Sequence, residues 1–244
     1  MSKQSPSGYP LQDYYSRIYK TYDLVNRLFT FGQDRKWRRH TVDACLSSNP
    51  ERILDLCCGT GDLAVSISLA AKRPVRITGF DLNRDMLALA LDKASKSACP
   101  EIEFIQGDAG SMPFTDQEFD SITLGFGFRN LIWENPHHDL YLKEISRVMK
   151  PGARLLILES AVPKSPLIRF FYWLYLRLIL VPLGGFLSGD WHAYRYLAGS
   201  SSGFYDFTSL KSLLRPYRLA LDPGRKFLLG SVNLLIATKQ ELNI

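Results

Sequence analysis

The sequence predicts an α/β protein with a mostly parallel seven-stranded sheet, helices on both faces, an N-terminal helical segment and a helical lid insertion. Three observations support this fold class. Apolar runs of strand length alternate with helical patterns from about residue 52 to residue 158. A glycine turn joins the first strand to a helix that begins with an acid. The alternation then gives way to a long apolar stretch, and two strands follow it.

Residues 1–50 are expected to form a helical cap. Aromatic residues recur near helical spacing from Tyr14 to Phe31, with interruptions at Tyr22-Asp23 and at Phe31-Gly32. A basic amphipathic helix is predicted from Asp34 to Leu46. The aromatic residues either pack in the core or form a wall of a ligand pocket.

The glycine turn after the first strand has a nucleotide-binding pattern. Gly59, Gly61 and Ala64, with Asp81 twenty residues beyond Gly61, satisfy the dinucleotide fingerprint, in which a pyrophosphate lies on the helix N-terminus. NAD(P) is therefore one candidate cofactor for this turn.

The charge of the turn favours a different cofactor. Asp55 ends the strand, and Asp62 stands at the first helical position, where a carboxylate would occupy the turn amides and repel a pyrophosphate. S-adenosylmethionine (SAM) carries an ammonium and a sulfonium group and no phosphate, so an acidic turn suits it. We expect SAM, with NAD(P) and an incidental strand-turn-helix as the alternatives.

Residues 51–160 are expected to form the SAM-binding core. Its elements beyond the first strand alternate between strand and helix, as a parallel sheet requires. They are a strand at Val75–Phe80, a helix at Arg84–Lys96, strands at Ile102–Gln106 and Ser121–Leu124, a helix at Leu140–Met149, and a strand at Arg154–Leu158.

Three acids stand at the ends of successive strands. Ligands of an open parallel sheet bind beyond the carboxyl ends of its strands, so Asp55, Asp81 and Asp108 should meet in one crevice. We expect Asp81 to bind the ribose hydroxyls, and Asp108 with the Ala109 amide to bind the adenine edge. Asp55 is expected to orient the methionine ammonium. A helix N-cap is the alternative for any single one of them.

The fourth strand leads into a glycine-rich segment, Gly125-Phe126-Gly127-Phe128-Arg129-Asn130. Two glycines let the backbone approach a ligand, and an Arg-Asn pair then arrives beside the cofactor, where a nucleophile must lie. We expect Arg129 on the substrate side. An ion pair with a surface acid is the alternative.

Residues 161–215 are expected to form a hydrophobic lid insertion. A spanning helix needs roughly 20 uninterrupted apolar residues, and the apolar stretch Pro166–Leu187 is interrupted by Arg169, Arg177, Pro182 and Gly184-Gly185. The stretch is therefore interpreted as a lid or as an interfacial element that lies on a membrane, with a buried cap helix as the alternative. Each interpretation implies a hydrophobic substrate.

The remaining residues, 216–244, are predicted to complete the sheet with strands at Tyr217–Leu221 and Val232–Thr238. The 244-residue chain is 46% hydrophobic, which is enough for one large domain with an insertion. Its four cysteines show no Cys-x-x-Cys spacing, which predicts buried thiols in a reducing compartment and no metal site.

Charge and the polar start of the chain bear on location. The net charge is +6, but Lys and Arg are scattered apart from Arg35–Arg39, which is either a solvated helix face or a contact for an anionic surface. We expect no nucleic-acid partner. Met1 to Pro10 lacks a signal-peptide pattern, so the expected location is cytoplasmic, with peripheral contact at the inner face of the cell membrane left open.

Several segments together resemble the ubiquinone/menaquinone biosynthesis C-methyltransferase family, whose members are class I SAM-dependent methyltransferases with a Rossmann-like fold. The resemblance spans about residues 14–239. The segments that carry it are Tyr22-Asp23-Leu24-x-Asn26, Phe31-Gly32-x-Asp34-Arg35-x-Trp37-Arg38, Leu54-Asp55, Gly59-Thr60-Gly61-Asp62-Leu63-Ala64, Asp81-Leu82-Asn83, Met86-Leu87, Gly107-Asp108-Ala109, Pro113-Phe114, Gly127-Phe128-Arg129-Asn130, Leu158-Glu159, Gly189-Asp190, Tyr194-Arg195-Tyr196-Leu197 and Ser200. Four positions depart from the family pattern: Cys57 and Cys58 replace small Ala or Gly residues, Tyr205 replaces a proline, and Trp133 replaces a small turn residue.

The resemblance implies a SAM site and a reaction. It implies cofactor contacts at Thr60, Asp81, Asp108, Ala109 and Gly125, and the interpretation of the glycine turn and strand ends adds Asp55, Gly59, Gly61 and Leu82 as expected contacts. The implied reaction is C-methylation of a prenylated quinol ring, with demethylmenaquinol as the expected acceptor. The alternatives are the benzoquinol of the ubiquinone pathway, another hydrophobic small molecule, or a non-catalytic adaptor that binds SAM or a membrane. A homo-oligomer is left open.

Catalytic roles follow from that reaction. Arg129 is expected to stabilise the developing oxyanion, with Asn130 and Tyr22 orienting the ring. The base is either His192, whose ordinary pKa of about 6.5 suits the task, or water relayed by Arg129 and Tyr22. The expected substrate contacts are Phe31, Phe126, Tyr194 and Tyr196.

Overall fold

The structure, a computed structural model, describes residues 11–241. The Met1 to Pro10 segment of the signal-peptide expectation, and residues 242–244 of the predicted C-terminal unit, lie outside the described residues. Within residues 11–241 one sheet contains seven strands, which are β1 (Arg52–Leu56), β2 (Arg76–Asp81), β3 (Glu103–Gln106), β4 (Phe119–Gly125), β5 (Met149–Ser160), β6 (Leu219–Phe227) and β7 (Val232–Lys239).

The strand order is β3-β2-β1-β4-β5-β7-β6. The first five strands are parallel, whereas β7 is antiparallel to both β5 and β6. The predicted fold class, a mostly parallel seven-stranded sheet, is confirmed. The order reverses beside β1, which is where an open parallel sheet forms its binding crevice.

Ten α-helices accompany this sheet in the described part of the chain. They are α1 (Leu11–Phe29), α2 (Asp34–Leu46), α3 (Asp62–Ala70), α4 (Arg84–Lys96), α5 (Phe128–Ile132), α6 (His138–Val148), α7 (Pro166–Tyr175), α8 (Val181–Ser188), α9 (Trp191–Gly203) and α10 (Phe207–Leu214). The predicted bounds of α2 and α4 are confirmed to the residue. α4 begins where it does because the Asn83 side chain accepts hydrogen bonds from the Asp85 and Met86 amides, at 2.9 and 3.0 Å.

Several predicted boundaries were wrong, among them the start of β5, which begins at Met149 rather than at Arg154. α1 is continuous through Tyr22-Asp23, because its buried face packs along its length against the lid. α6 runs from His138 to Val148 rather than from Leu140 to Met149, and Pro151-Gly152 lies within β5 at an irregularity of its pairing with β4. The strand predicted from Tyr217 begins at Leu219, after a short 3₁₀ turn.

The apolar stretch of the lid is one continuous helix, Pro166–Ser188, which runs through Arg169, Arg177, Pro182 and the two glycines. A π-helical turn at Leu176–Leu180 joins α7 to α8. Pro182 cannot donate a backbone hydrogen bond and would clash with an ideal α-turn, and the wider turn lets the helix continue. Among the described residues, this is the one helix that is long and apolar enough to cross a membrane by length and composition.

Two glycines fix this helix against α9. A Cβ atom at Gly184 would lie 2.3 Å from the Tyr194 ring, and one at Gly185 would lie 2.6 Å from the Trp191 ring. The helix and α9 also share an apolar cluster with α1. The cap and the lid are therefore packed on each other above the carboxyl ends of the strands.

Candidate functional site

A crevice that opens to solvent lies at the carboxyl ends of β1, β2, β3 and β4. Its lining is mainly apolar with a few polar groups, as in most small-molecule sites. The lining residues are Tyr15, Tyr22, Leu56, Cys57, Gly59, Phe80, Asp81, Leu82, Asn83, Met86, Gly107, Asp108, Ala109, Gly125, Phe126, Gly127, Asn130, Leu131, Asn135 and Tyr141. A smaller crevice behind the glycine turn adds Arg38, Asp55, Cys58, Thr60, Asp62 and Leu63.

The glycine turn places backbone at the edge of the crevice. Gly59 and Gly61 have φ values of +54° and +74°, a region that favours glycine. A Cβ atom at Gly61 would also lie 2.9 Å from the Ala90 Cβ, so the turn packs closely on α4. The turn therefore packs tightly on the core at Gly61 and leaves space for a ligand at Gly59.

Asp81 ties the turn to the end of β2. Its carboxylate accepts hydrogen bonds from the Gly59 and Asn83 amides, both at 2.8 Å. Burial raises its pKa, and these two amides oppose that rise. The carboxylate lines the crevice beside Leu82, in the position expected for a ribose contact.

The next strand end contributes Asp108 and Ala109. Asp108 accepts a hydrogen bond from the Gly110 amide at 2.8 Å, which holds the loop that follows β3. Both residues line the crevice, as does Gly107 before them. The adenine-edge contact therefore stays a prediction with the residues in the right place.

Asp55 lies behind the turn, almost fully buried. One of its oxygens accepts from the Thr123 hydroxyl at 2.9 Å, and the other accepts from the Ala64 amide at 3.0 Å. Burial raises its pKa to about 7, against these two hydrogen bonds. Asp55 thus holds the turn on the sheet while bordering the smaller crevice.

The expectation that the Asp62 carboxylate occupies the turn amides was wrong. Asp62 does begin α3, but its carboxylate pairs with Lys93, and with Arg38 at 3.0 Å. Burial disfavours its ionised form, yet these two cations lower its pKa. What disfavours a pyrophosphate is the lining of the main crevice, whose described residues include Asp81 and Asp108 and no Lys, Arg or His. That lining fits the cationic SAM.

The end of β4 brings backbone close to the cofactor space. A Cβ atom at Gly125 would meet Leu63 at an ordinary 3.7 Å, so protein packing leaves room there. A Cβ atom at Gly127 would lie 2.6 Å from the Cys57 Cβ. Phe126 lines the crevice with a φ of +61° and packs against Trp37 with ring centroids 6.4 Å apart.

On the acceptor side, three polar side chains meet above this strand end. Asn130 donates from Nδ2 to the Tyr15 hydroxyl at 2.9 Å, and its Oδ1 accepts from the Tyr196 hydroxyl at 3.4 Å. Tyr22 packs edge-on against Tyr15, with ring centroids 5.8 Å apart. Burial raises the pKa of Tyr15 and of Tyr22, so both phenols stay protonated at neutral pH.

Arg129 lies beneath the acceptor side and is 1% exposed. Its Nη1 is 2.6 Å from Glu159 Oε1, and its backbone amide donates to Glu159 Oε2 at 3.0 Å. Arg129 does not line the crevice, so its guanidinium has no direct access to an acceptor in this arrangement. Its charge acts at a distance, because it lowers the pKa of Tyr15 and of Tyr22 against the larger effect of burial.

Three sequence-predicted residues lie away from the crevice. His192 is exposed near the start of α9, where its backbone amide donates to the Asp190 cap at 3.0 Å. Phe31 is 83% exposed in the turn after α1. Tyr194 is buried between Phe29 and the α8 glycine Gly184. Closeness in sequence to the cap or the lid therefore did not determine which of these side chains face the crevice.

Sequence reasoning missed Tyr15 and Arg38 as site residues. Tyr15 lies seven residues before Tyr22, a helical spacing that places both on one face, and that signal was in the sequence. Arg38 belongs to the basic stretch Arg35–Arg39, for which the sequence allows a solvated helix face or a contact with an anionic surface. It instead turns inward to Asp34 and Asp62, at 2.5 and 3.0 Å.

An ionic contact between the cap and the core was also missed. Asp23 on α1 accepts from the Thr60 hydroxyl and from Lys93 Nζ, both at 2.8 Å. Thr60 belongs to the glycine turn, so this contact joins the cap directly to that turn. Asp23 and Lys93 are 70 residues apart, and no local pattern signals their pairing.

Comparison with known proteins shows the family and the fold of this chain. The profile of the ubiE/COQ5 methyltransferase family matches residues 3–238. A demethylmenaquinone methyltransferase of Thermus thermophilus is 40% identical over 200 residues, which cover 82% of this chain and 88% of that protein. A ubiquinone/menaquinone biosynthesis C-methyltransferase UbiE of Geobacter sulfurreducens is 36% identical, covering 88% of this chain and 82% of its own.

A solved structure shares the fold. The crystal structure of a SAM dependent methyltransferase from Aquifex aeolicus superposes with a TM-score of 0.54 and 18% sequence identity. The match covers 78% of this chain and 82% of that one. At this identity the likeness concerns the fold of the sheet and its helices.

Proposed function

Because this chain belongs to the ubiE/COQ5 methyltransferase family, we propose that it methylates a ring carbon of a prenylated quinol, with demethylmenaquinol as the acceptor. It is a SAM-dependent methyltransferase, and SAM is its cofactor. The predictions of family, enzyme class and cofactor are thereby confirmed, and NAD(P) and the non-catalytic adaptor are set aside.

One observation carries the proposal: the acidic crevice at the strand ends continues into a space walled by aromatic rings, amide and phenol groups. Asp81 and Asp108 line the cofactor end, and Tyr15, Tyr22 and Asn130 line the other end. When bound, SAM supplies an electrophilic methyl group on a sulfonium. The cap and the glycine-rich end of β4 hold an acceptor beside it and keep water away, and such alignment can supply much of the rate.

The acceptor carbon needs electron density from a neighbouring ring oxygen. A quinol that has lost a hydroxyl proton carries a negative charge there, which the nearby Arg129 guanidinium favours. Since the same guanidinium lowers the pKa of the surrounding phenols, it should lower the pKa of an acceptor hydroxyl in this space as well. Tyr22 and Asn130 orient the ring.

The proton must pass to a base. His192 is exposed and outside the crevice, so the histidine alternative loses its geometric support. Tyr15 and Tyr22 are held protonated by burial and cannot accept the proton at neutral pH. A water molecule beside Tyr22 is the base that fits this arrangement, with the Arg129 charge favouring the anion that results.

Turnover with two acceptors tests the proposed reaction. Purified protein is incubated with methyl-labelled SAM and either reduced demethylmenaquinone or the benzoquinol of the ubiquinone pathway, each with a short prenyl tail. We expect label on a ring carbon of the naphthoquinol. Label only on the benzoquinol would show that the benzoquinol is the acceptor. SAM binding without label in either quinol would contradict the quinol proposal.

We also propose that the chain binds the surface of an anionic phospholipid bilayer, where such an acceptor resides. Only 22% of the most apolar stretch of helix Pro166–Ser188 is buried in the protein. Its buried face packs on α1 and α9 through residues such as Leu176 and Leu180, so we expect the helix to lie along the bilayer rather than cross it. The exposed face, which we call the lid surface, comprises Leu167, Phe170, Phe171, Trp173, Leu178, Ile179, Leu183 and Phe186.

Charge and shape support a lipid partner. The only charged residues in this helix are Arg169 and Arg177, and the chain as a whole carries a net charge of +6. Arg177 lies 4.8 Å from the Trp173 ring, an amphipathic pair that suits the interface between headgroups and acyl chains. Phe170 and Trp173 also line a groove under the helix with Tyr172, so the surface continues into a space for an apolar chain.

Replacing Phe170, Leu178 and Phe186 together by serine is expected to abolish sedimentation with anionic phospholipid vesicles. Each side chain is more than half exposed, so the fold should tolerate the change. Turnover of a short-tailed quinol in solution should stay within about twofold, since none of the three lines the crevice. The control Leu69→Ser removes a similarly exposed leucine on α3 and should leave sedimentation unchanged. Undiminished sedimentation of the triple variant would contradict this interface.

A further inference from the structure

We propose that Tyr15 is a specificity-determining residue that donates a hydrogen bond from its phenol to one ring oxygen of the acceptor. The inference rests on the proposed quinol acceptor and adds a contact to it. Tyr15 lies on α1, in the cap, and its side chain reaches the crevice between Tyr22 and Asn130. The cap would then supply a polar contact to the head group as well as a cover for it.

The direction of the bond to Asn130 decides what Tyr15 can do. Asn130 Nδ2 donates to the Tyr15 oxygen at 2.9 Å, so the phenol accepts this bond and keeps its own proton. Within residues 11–241, the hydrogen bonds of the structure give that proton no protein acceptor. Tyr15 is partly buried and lines the crevice, so this proton is available to an oxygen of a ligand bound there.

The Asn130 amide is itself fixed in orientation. Its Oδ1 accepts from the Tyr196 hydroxyl at 3.4 Å, and its backbone carbonyl accepts from Asn135 Nδ2 at 3.2 Å. With Oδ1 turned to Tyr196, Nδ2 must face Tyr15. The α9 residue Tyr196 therefore favours, through Asn130, the arrangement in which the Tyr15 oxygen accepts this bond.

The surroundings keep Tyr15 a donor. Tyr22 packs against it edge-on, and the Arg129 guanidinium lies below without pairing to the phenol. A donor that cannot ionise at neutral pH recognises an oxygen, charged or neutral, and gains nothing from a ring carbon in the same place. This contact should select acceptors that carry a second ring oxygen.

Binding to three ring analogues tests the contact without turnover. The protein, loaded with S-adenosylhomocysteine, is titrated by calorimetry with a short-tailed naphthalenediol and with the two monohydroxy analogues that each lack one of its oxygens. We expect Tyr15→Phe to weaken binding of the diol and of one monohydroxy analogue by about 10- to 100-fold, the range for a hydrogen bond to a charged oxygen. Binding of the other analogue should be unchanged.

Other patterns would overturn the proposal. If Tyr15 only positions Asn130, all three ligands weaken equally, and if it makes no polar contact, none of them changes. The matched control is Tyr19→Phe, a tyrosine on the same helix that does not line the crevice. Thermal unfolding of both variants checks the fold. This experiment measures binding, so its outcome is independent of whether methyl transfer is seen in the labelling assay. A wild-type protein that binds none of the three rings would overturn both the quinol acceptor and the Tyr15 contact.

Discussion

Replacing Arg129 by methionine is expected to lower kcat by about 10-fold or more, because each unit by which the pKa of the acceptor hydroxyl rises costs about 1.4 kcal/mol. It should also lower the free energy of unfolding by about 3–5 kcal/mol, because the buried Glu159 carboxylate loses its partner at 2.6 Å. The Kd for SAM should stay within about twofold, since Arg129 does not line the crevice.

The double variant Arg129→Met with Glu159→Gln separates these two effects. Removing the uncompensated carboxylate charge should restore most of the lost stability, measured by urea unfolding. It should not restore kcat, because the positive charge near the acceptor is still missing. A double variant with near wild-type kcat would show that the Arg129–Glu159 pair serves only the fold.

Asp55→Asn is expected to stabilise the protein at pH 8 while weakening SAM binding. Burial raises the pKa of Asp55 to about 7 in the folded chain, against about 3.9 when unfolded. Between these values the folded state holds a proton that the unfolded state has released, so this group's contribution to stability falls as pH rises from about 4 to about 7. Above pH 7 the ionised Asp55 lowers the free energy of unfolding by its full amount, at most about 4 kcal/mol.

Asparagine has no such proton to lose and can keep both hydrogen bonds. Its oxygen can accept from the Ala64 amide, and its amide can donate to the Thr123 hydroxyl oxygen. The gain in the free energy of urea unfolding should therefore be near zero at pH 4 and largest at pH 8. SAM affinity should fall by about 10-fold or more, the cost of losing one charged partner for the ammonium.

The control for this experiment is Asp92→Asn, an exposed acid on α4 that pairs with Lys96. It should change stability little at either pH, since such surface pairs contribute about 0–1 kcal/mol. A gain for Asp55→Asn that is equal at pH 4.5 and pH 8 would contradict the raised pKa. An unchanged Kd for SAM would remove Asp55 from the cofactor site.

The sequence predicted the crevice at the strand ends that Asp81, Asp108 and Gly125 line. Asp81, Asp108 and Gly125 each stand at the end of an apolar run of strand length, and parallel strands bring their carboxyl ends to one edge. The argument from Asp62 failed because it assumed that an acid at a helix start must face the turn. Lys93, one helix later, draws that carboxylate away.

The acceptor half depended on helix rotation and on distant pairs. The lid sequence placed Tyr194, Tyr196 and His192 near the roof, but the rotation of α9 buries the first, brings the second to Asn130 and exposes the third. A helix turns each successive side chain by about 100°, so neighbours in sequence face different surroundings.

The sequence by itself determined the fold class, the strand-end acids and an apolar lid, because periodicity and turn chemistry are properties of adjacent residues. Only the tertiary structure decided that Arg129 pairs with Glu159 beneath the site, that Asp23 reaches Lys93 across 70 residues, and that the apolar face of the lid points outward. Each of these depends on which surfaces meet when the cap, the core and the lid pack together, and the free energy that selects that arrangement comes from contacts between residues far apart in the chain.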